Sequence, residues 1–161
     1  MQELRTVLES RTKVRFQDCD PFNHLNNAAY LNYFMNARED QLIDNYGIDI
    51  YEMGRKEGKS WVVGSNQIAY LRPTFLMEDI VIQSQLLQFG DSHLLVELRM
   101  LNSDKTEIKA IMWSTFVHFN LLQQKREKHS EEFMELFKNV VKPLAELSFE
   151  ERVSAIKKQK L

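Results

Sequence analysis

Apolar and polar positions alternate across residues 11–17, with Val14 and Phe16 on one side and Lys13, Arg15 and Gln17 on the other. That period of two predicts a half-buried strand. Across residues 27–46 the period lengthens: Leu31, Phe34, Met35, Arg38 and Leu42 recur at three- and four-residue steps, with no Pro or Gly before Gly47. The spacing predicts one long helix, stopped by Gly47 at its C-terminal cap. The first two turns (AAYLNYFM) are apolar or aromatic around most of the circumference, so this half of the helix is expected to be enclosed. After a polar stretch at residues 55–60, β-rich segments are expected at 61–71, 80–89, 93–101 and 107–120. Arg72-Pro73 ends the first of these, and Gly90-Asp91 and Asn102-Ser103-Asp104 read as turns, so the last three strands form a meander. Helical spacing returns from Ser130, with Phe133, Leu136, Phe137 and Val140 before Pro143, and then Phe149, Val153 and Ile156. Strand, long helix and four strands make an α+β order.

Composition narrows the class. A chain of 161 residues, 43% hydrophobic and 27% charged, is sized for one globular domain. We expect a single domain over residues 1–161, with a core at about 10–120 and a helical extension at about 130–161. Lys plus Arg number 21 against 23 for Asp plus Glu, which gives no overall field for a nucleic-acid backbone. The one cysteine, Cys19, excludes an internal disulfide framework, and the sequence holds neither a leader pattern nor a long apolar run. A soluble protein of a reducing cytoplasm, without membrane insertion, is expected.

Residues 18–30 (DCDPFNHLNNAAY) crowd two acids, a His and three Asn between a strand and a mostly apolar helix. Asp18 or Asn23 can cap the helix while the other groups satisfy one another in a turn. Equally, the head of a helix presents N–H groups without intrahelical acceptors and a partial positive charge, which can polarise a carbonyl or hold an oxyanion. A carboxylate beside such a site is chemically useful. The residues alone leave both readings open.

This run resembles the active-site signature of the hotdog thioesterases. Asp18-Cys19-Asp20-Pro21 is similar to the start seen in hydroxybenzoyl-CoA thioesterase, and His24-Leu25-Asn26-Asn27-Ala28-Ala29-Tyr30 to the HVNNxxY run of acyl-ACP thioesterases. Tyr70-Leu71-Arg72-Pro73, followed by Asp79-Ile80, resembles the family's Y-x-x-P then D-x-L/I/V pattern. The resemblance spans about residues 10–120. It implies a hotdog fold, a five-stranded antiparallel sheet wrapped around one long central helix, and a homodimer or homotetramer with sites between subunits. It also implies an acyl-CoA thioesterase that needs no cofactor. By the same resemblance Asp20 takes the place of the catalytic carboxylate and the Asn27 N–H the oxyanion position. His24 either positions water or serves the turn. The sequence departs from the acyl-ACP enzymes two residues after Asp20, where they carry Asn and this chain has Phe22.

Other residues carry weaker signals. Two acids flanking Cys19 raise its thiol pKa and make it a poor nucleophile. His93, His118 and His129 are far apart in sequence and lack the spacing of a metal motif, so no metal site is expected. Tyr30, Tyr33, Phe34 and Met35 read first as core; Tyr30 and Phe34 are the candidates for lining an acyl pocket, and Arg72 for a nucleotide phosphate. The alternatives to an acyl-CoA substrate are an acyl-ACP thioesterase, an enoyl-CoA hydratase or dehydratase of the same fold, and a non-catalytic acyl-binding module.

Overall fold

Strands from both halves of the chain build one antiparallel sheet with two covered faces. The computed structural model describes residues 3–159. In chain order the elements are β1 (Val7–Lys13), α1 (Tyr30–Tyr46), α2 (Ile50–Glu57), β2 (Lys59–Tyr70), β3 (Asp79–Phe89), β4 (His93–Asn102), β5 (Ile108–Asn120), β6 (Lys125–Arg126), α3 (Glu131–Val140) and α4 (Phe149–Lys158). The sheet order is β1-β3-β4-β5-β2, with the two-residue β6 on β5. The meander of β3, β4 and β5 is as expected from the turns, and Gly90 N–H closes its first hairpin on His93 O at 2.9 Å.

One row of side chains (Ile80, Ile82, Val96, Leu98, Met100, Ala110, Met112) meets Tyr30, Phe34 and Ala37 of α1 in the core. Gln41 ties the helix to the sheet, its Nε2 donating to Ile82 O at 3.0 Å and Ser10 Oγ at 2.9 Å. Gly47 caps α1 at φ 66°, a left-handed conformation that suits glycine. The helix is buried on one face only, however: Leu31 is 39% exposed, because the sheet of a single chain covers one side of its first turns. The first strand also begins earlier than the alternation at residues 11–17 implies. Phe16, expected inward, is 79% exposed in a 3-10 turn at Phe16–Asp18, where the chain leaves the sheet. The polar stretch at 55–60 conceals most of the last turn of α2, which Asp49 caps through bonds to the N–H groups of Tyr51 and Glu52.

The extension grips both faces of the sheet. Phe137 and Val140 of α3 enter the core beside α1. The chain then crosses the edge, Lys142 N–H donating to Leu86 O at 2.8 Å, and α4 lies on the outer face. There Phe149 packs edge-on against Trp113, and Arg152 holds the fully buried Glu97 with bonds of 2.9 and 2.8 Å. Burial raises the Glu97 pKa, but Arg152, Trp113 and Arg99 outweigh that and hold the carboxyl below its ordinary range. Replacing Arg152 by Leu leaves a buried carboxylate short of a partner, so we expect a loss of about 3 kcal/mol in urea unfolding.

Under α3 sits an aromatic stack that the sequence does not bring together. His118 and His129 lie 5.1 Å apart, with Trp61 over His118 at 4.8 Å and Phe133 edge-on to Trp61. Gly90 O can only accept, so the 2.9 Å contact from His129 Nδ1 fixes the proton there, and Nε2 accepts from Trp61 Nε1 at 3.0 Å. Neither ring nitrogen of His118 has a partner among the described residues. Burial lowers both histidines below the usual range. The unfolded chain therefore takes up these protons first, and stability falls as the pH drops below about 6.5 toward the folded values. In thermal scans between about pH 7 and 5, Tm should decline with acidification, and the decline should be shallower in His118→Phe.

Candidate active site

The chain between β1 and α1 is folded into a turn by its own polar groups. Asp20 N–H donates to His24 O at 2.8 Å, and Asp20 Oδ1 accepts from the N–H groups of Phe22 and His24 at 2.9 and 3.1 Å. Asn23 reaches φ 61° at the tip, which Asn tolerates better than most residues. Asp20 thus commits one oxygen to the turn. For Oδ2 no hydrogen-bond partner exists among the described residues.

The connection between β2 and β3 explains why the two sequence motifs occur together. Leu25 N–H donates to Thr74 O at 2.7 Å, Leu76 N–H to Asn23 O at 2.9 Å, and His24 bridges Phe75. The His24 ring stands edge-on to Phe75 at 5.1 Å, and no hydrogen bond joins it to Asp20 among the described residues.

After the turn, the N-cap is not Asp18 or Asn23 but Asn26, one of the three Asn residues of the 18–30 run. Its Oδ1 accepts from Ala28 N–H at 3.0 Å, which leaves Asn27 N–H leading a 3-10 turn (Asn27–Ala29) that runs into α1. Tyr70 anchors this position by donating to Asn27 O at 3.0 Å. Asp18 serves elsewhere: its Oδ2 accepts from Tyr33 OH at 2.6 Å. Burial first, then this bond, pushes the Tyr33 phenol up to about 12. Cys19 is raised too, by burial and then by Asp18 and Asp20, as the acids on either side imply.

Asp20, His24 and Asn27 are brought into one turn-and-helix unit; Tyr30 sits directly behind it, while Phe34 lies deeper along α1 and Arg72 at the sheet end. Tyr30 is buried, donating to Thr74 Oγ1 at 3.0 Å and standing edge-on to Tyr70 at 5.1 Å. Phe34 is fully buried in the core. Arg72 is half-exposed at the sheet end, 3.5 Å from Glu107. The apolar space opens instead around their neighbours: a cavity of about 280 Å³ lies between α1, the sheet and α3, lined by Met35, Arg38, Trp61, Val63, Leu86 and Phe137 among others. Sequence reasoning passed over Tyr33, Tyr70 and Thr74 as site supports, because their partners are remote in the chain.

A sheet wrapped on one helix, with a carboxylate turn feeding the open head of that helix, defines a hotdog-fold thioesterase. The chain belongs to the Thioesterase-like superfamily, whose model matches residues 14–137. It is 31% identical over 136 residues to the long-chain acyl-CoA thioesterase FadM of Escherichia coli (strain K12), covering 84% of this chain and all of that one. The crystal structure of YbaW, a probable thioesterase from Escherichia coli, aligns with a TM-score of 0.71 at 28% identity, covering 84% of this chain and 99% of that one. SAV2348 of Staphylococcus aureus, solved in complex with CoA, shares the fold with a TM-score of 0.77 at 13% identity, over 92% of each chain. The chain is accordingly a thioester hydrolase. No helix among the described residues is long and apolar enough to cross a membrane.

The separate placement of the two acids has a direct test. Asp18→Asn weakens a charge-assisted bond to Tyr33 and should cost about 1–2 kcal/mol of stability in denaturant unfolding. Turnover should change by less than about tenfold, since Asp18 faces Tyr33 rather than the helix head.

Proposed function

We propose that the protein hydrolyses acyl-CoA thioesters, with Asp20 as the activating carboxylate and the Asn27 N–H as the oxyanion donor. The observation that carries this is the division of labour at Asp20: one oxygen holds the turn and the other is uncommitted, on the segment that leads into the head of α1. A thiolate leaves readily near neutral pH, so the reaction needs no strong general acid. Asp20 either draws a proton from water as it attacks the carbonyl carbon, or attacks itself to form an anhydride that water opens. In both routes the C–S bond breaks, the carbonyl oxygen carries negative charge in between, and free acid and thiol result. His24 borders the turn with its ring against Phe75 and is suited to placing the water. Arg72, exposed at the sheet end, offers a guanidinium to the CoA phosphates. FadM acts on long-chain acyl-CoA by its name, and SAV2348 binds CoA, which supports the same carrier here. Acyl-ACP presents the same pantetheine thioester and serves as the comparison substrate.

Assembly belongs to this reading. The outer sheet face is taken by α4, whereas among the described residues β2 pairs with β5 alone, and the exposed Val62, Val63 and Tyr70 lie along it. Phe22, Phe75 and Met77 are exposed around the turn. A second copy joined along β2 covers the open edge and brings a partner surface to the site, so we propose a homodimer. Sedimentation at micromolar concentration should give twice the 19.1 kDa chain mass; a monomer alone contradicts the dimer. The lone Cys19 fits a reducing cytoplasm.

For the reaction itself, a thiol-reagent assay should register free CoA from acyl-CoA, and Asp20→Asn should lower kcat by about 10² to 10⁴ with the fold intact, since an amide oxygen still accepts both turn bonds. Hydration of an enoyl-CoA without thiol release, or binding without either, overturns the hydrolase reading.

A further inference from the structure

A buried guanidinium needs an anion or a full set of acceptors to offset its desolvation. This chain meets that need on the outer sheet face, where Arg99 and Arg152 share Glu97. Arg38 of α1 is different. It is 8% exposed, and its Nη1 donates to Ser84 Oγ at 2.9 Å, while Ser84 passes its own proton to Gln41 Oε1 at 2.5 Å. The acceptor is therefore neutral. Among the described residues Arg38 takes part in no ion pair. Glu39, the carboxylate at the cavity wall, is engaged by Tyr51 OH at 2.7 Å, and the Tyr46 hydroxyl by Arg5 O at 2.6 Å. Burial lowers the Arg38 pKa to about 10, so it stays a cation at neutral pH. It borders the 280 Å³ cavity, whose other walls are chiefly aliphatic and aromatic.

The cavity is in line with the candidate active site. On β2, residues Tyr70, Ile68, Asn66, Val63 and Trp61 pair with Ala110, Met112, Ser114, Phe116 and His118 of β5, the inward row of that strand. Tyr70 holds Asn27, and Val63 and Trp61 line the cavity. Asn27 of the 3-10 turn and Leu31, Met35 and Leu42 of α1 follow one another at helical spacing along one side, and Met35 and Leu42 line the cavity as well. Both rows run from the helix head toward the cavity that Arg38 borders. At about 1.5 Å per residue the eleven steps from Asn27 to Arg38 cover roughly 16 Å, the reach of an extended chain of about a dozen carbons.

We propose that the cavity receives the far end of an acyl chain terminated by a second carboxylate, an ω-carboxyacyl group that pairs with Arg38 while its thioester lies at Asp20. The proposal rests on the acyl thioesterase reading above for the placement of the thioester. A carboxylate matches the planar fork of the guanidinium and gives it the direct anionic partner it lacks among the described residues, whereas a methyl end brings it no acceptor. The cavity volume suits the distal part of such a chain and not a large headgroup.

Two measurements test it on the full chain. In hydrolysis of matched CoA esters of about twelve carbons, kcat/KM should be at least about tenfold higher for the ω-carboxy chain than for the plain chain. Arg38→Met should remove that preference by slowing the ω-carboxy ester and leaving the plain one equal or faster; Arg38→Lys, which keeps charge without the fork, should fall between. Separately, calorimetry with the free acids should detect the dicarboxylic acid more tightly than the monocarboxylic acid of equal length, in wild type and not in Arg38→Met. A wild-type preference for the plain chain, or Arg38 variants that alter both esters alike, overturns the proposal. If neither ester is cleaved, the hydrolase reading falls, and calorimetry alone decides whether Arg38 binds the second carboxylate.

Discussion

The amide groups at the head of α1 have no acceptors within the helix, and much of the molecule is arranged around that gap. The core places α1 on the inward face of the sheet through Tyr30, Phe34 and Ala37, so its head comes out where β2 ends. Asn26 caps Ala28 and not Asn27, and Tyr70 fixes the Asn27 carbonyl from the sheet. The preceding turn is locked by Asp20 and by the chain from Thr74 to Leu76. In the proposed mechanism this helix end receives the carbonyl oxygen, and Asp20, on the turn that leads into it, supplies the carboxylate.

The carboxyl-terminal extension stabilises this arrangement from both sides of the sheet. α3 closes the core beside α1 through Phe137 and Val140, and α4 seals the outer face by pairing Arg152 with Glu97. Charge is handled differently on the two faces: outside, two arginines share one buried carboxylate, and inside, Arg38 has, among the described residues, a serine hydroxyl and no ion pair. That asymmetry gives the cavity a chemical character that its apolar walls alone would not.

Much of this was legible in the residues. The helical spacing up to Gly47 marked α1 to its last turn, and Gly90 and the Asn102 cluster marked the meander, because caps and turns are local effects. The crowded 18–30 run marked the candidate site for the same reason. Other features depend on distant partners. The pairing of Val7, Leu8, Glu9 and Ser10 with β3 starts β1 closer to the amino terminus, and Phe16 turns outward beyond Lys13, where that pairing stops. α2 was hidden by a short polar stretch, although Asp49 and Gly58 are ordinary cap residues. The His118–His129 stack and the unpaired charge of Arg38 join residues that only the tertiary fold brings together.

The central claim is that a substrate carbonyl lies against the head of α1 with the Asp20 carboxylate beside it. Infrared difference spectroscopy of a carbonyl-labelled acyl-CoA bound to Asp20→Asn, which holds the substrate without turning it over, tests that placement directly. Hydrogen bonding to the Asn27 N–H should polarise the thioester carbonyl and move its stretch to lower frequency than in free acyl-CoA. A bound carbonyl whose frequency equals or exceeds that of the free ester would contradict the placement.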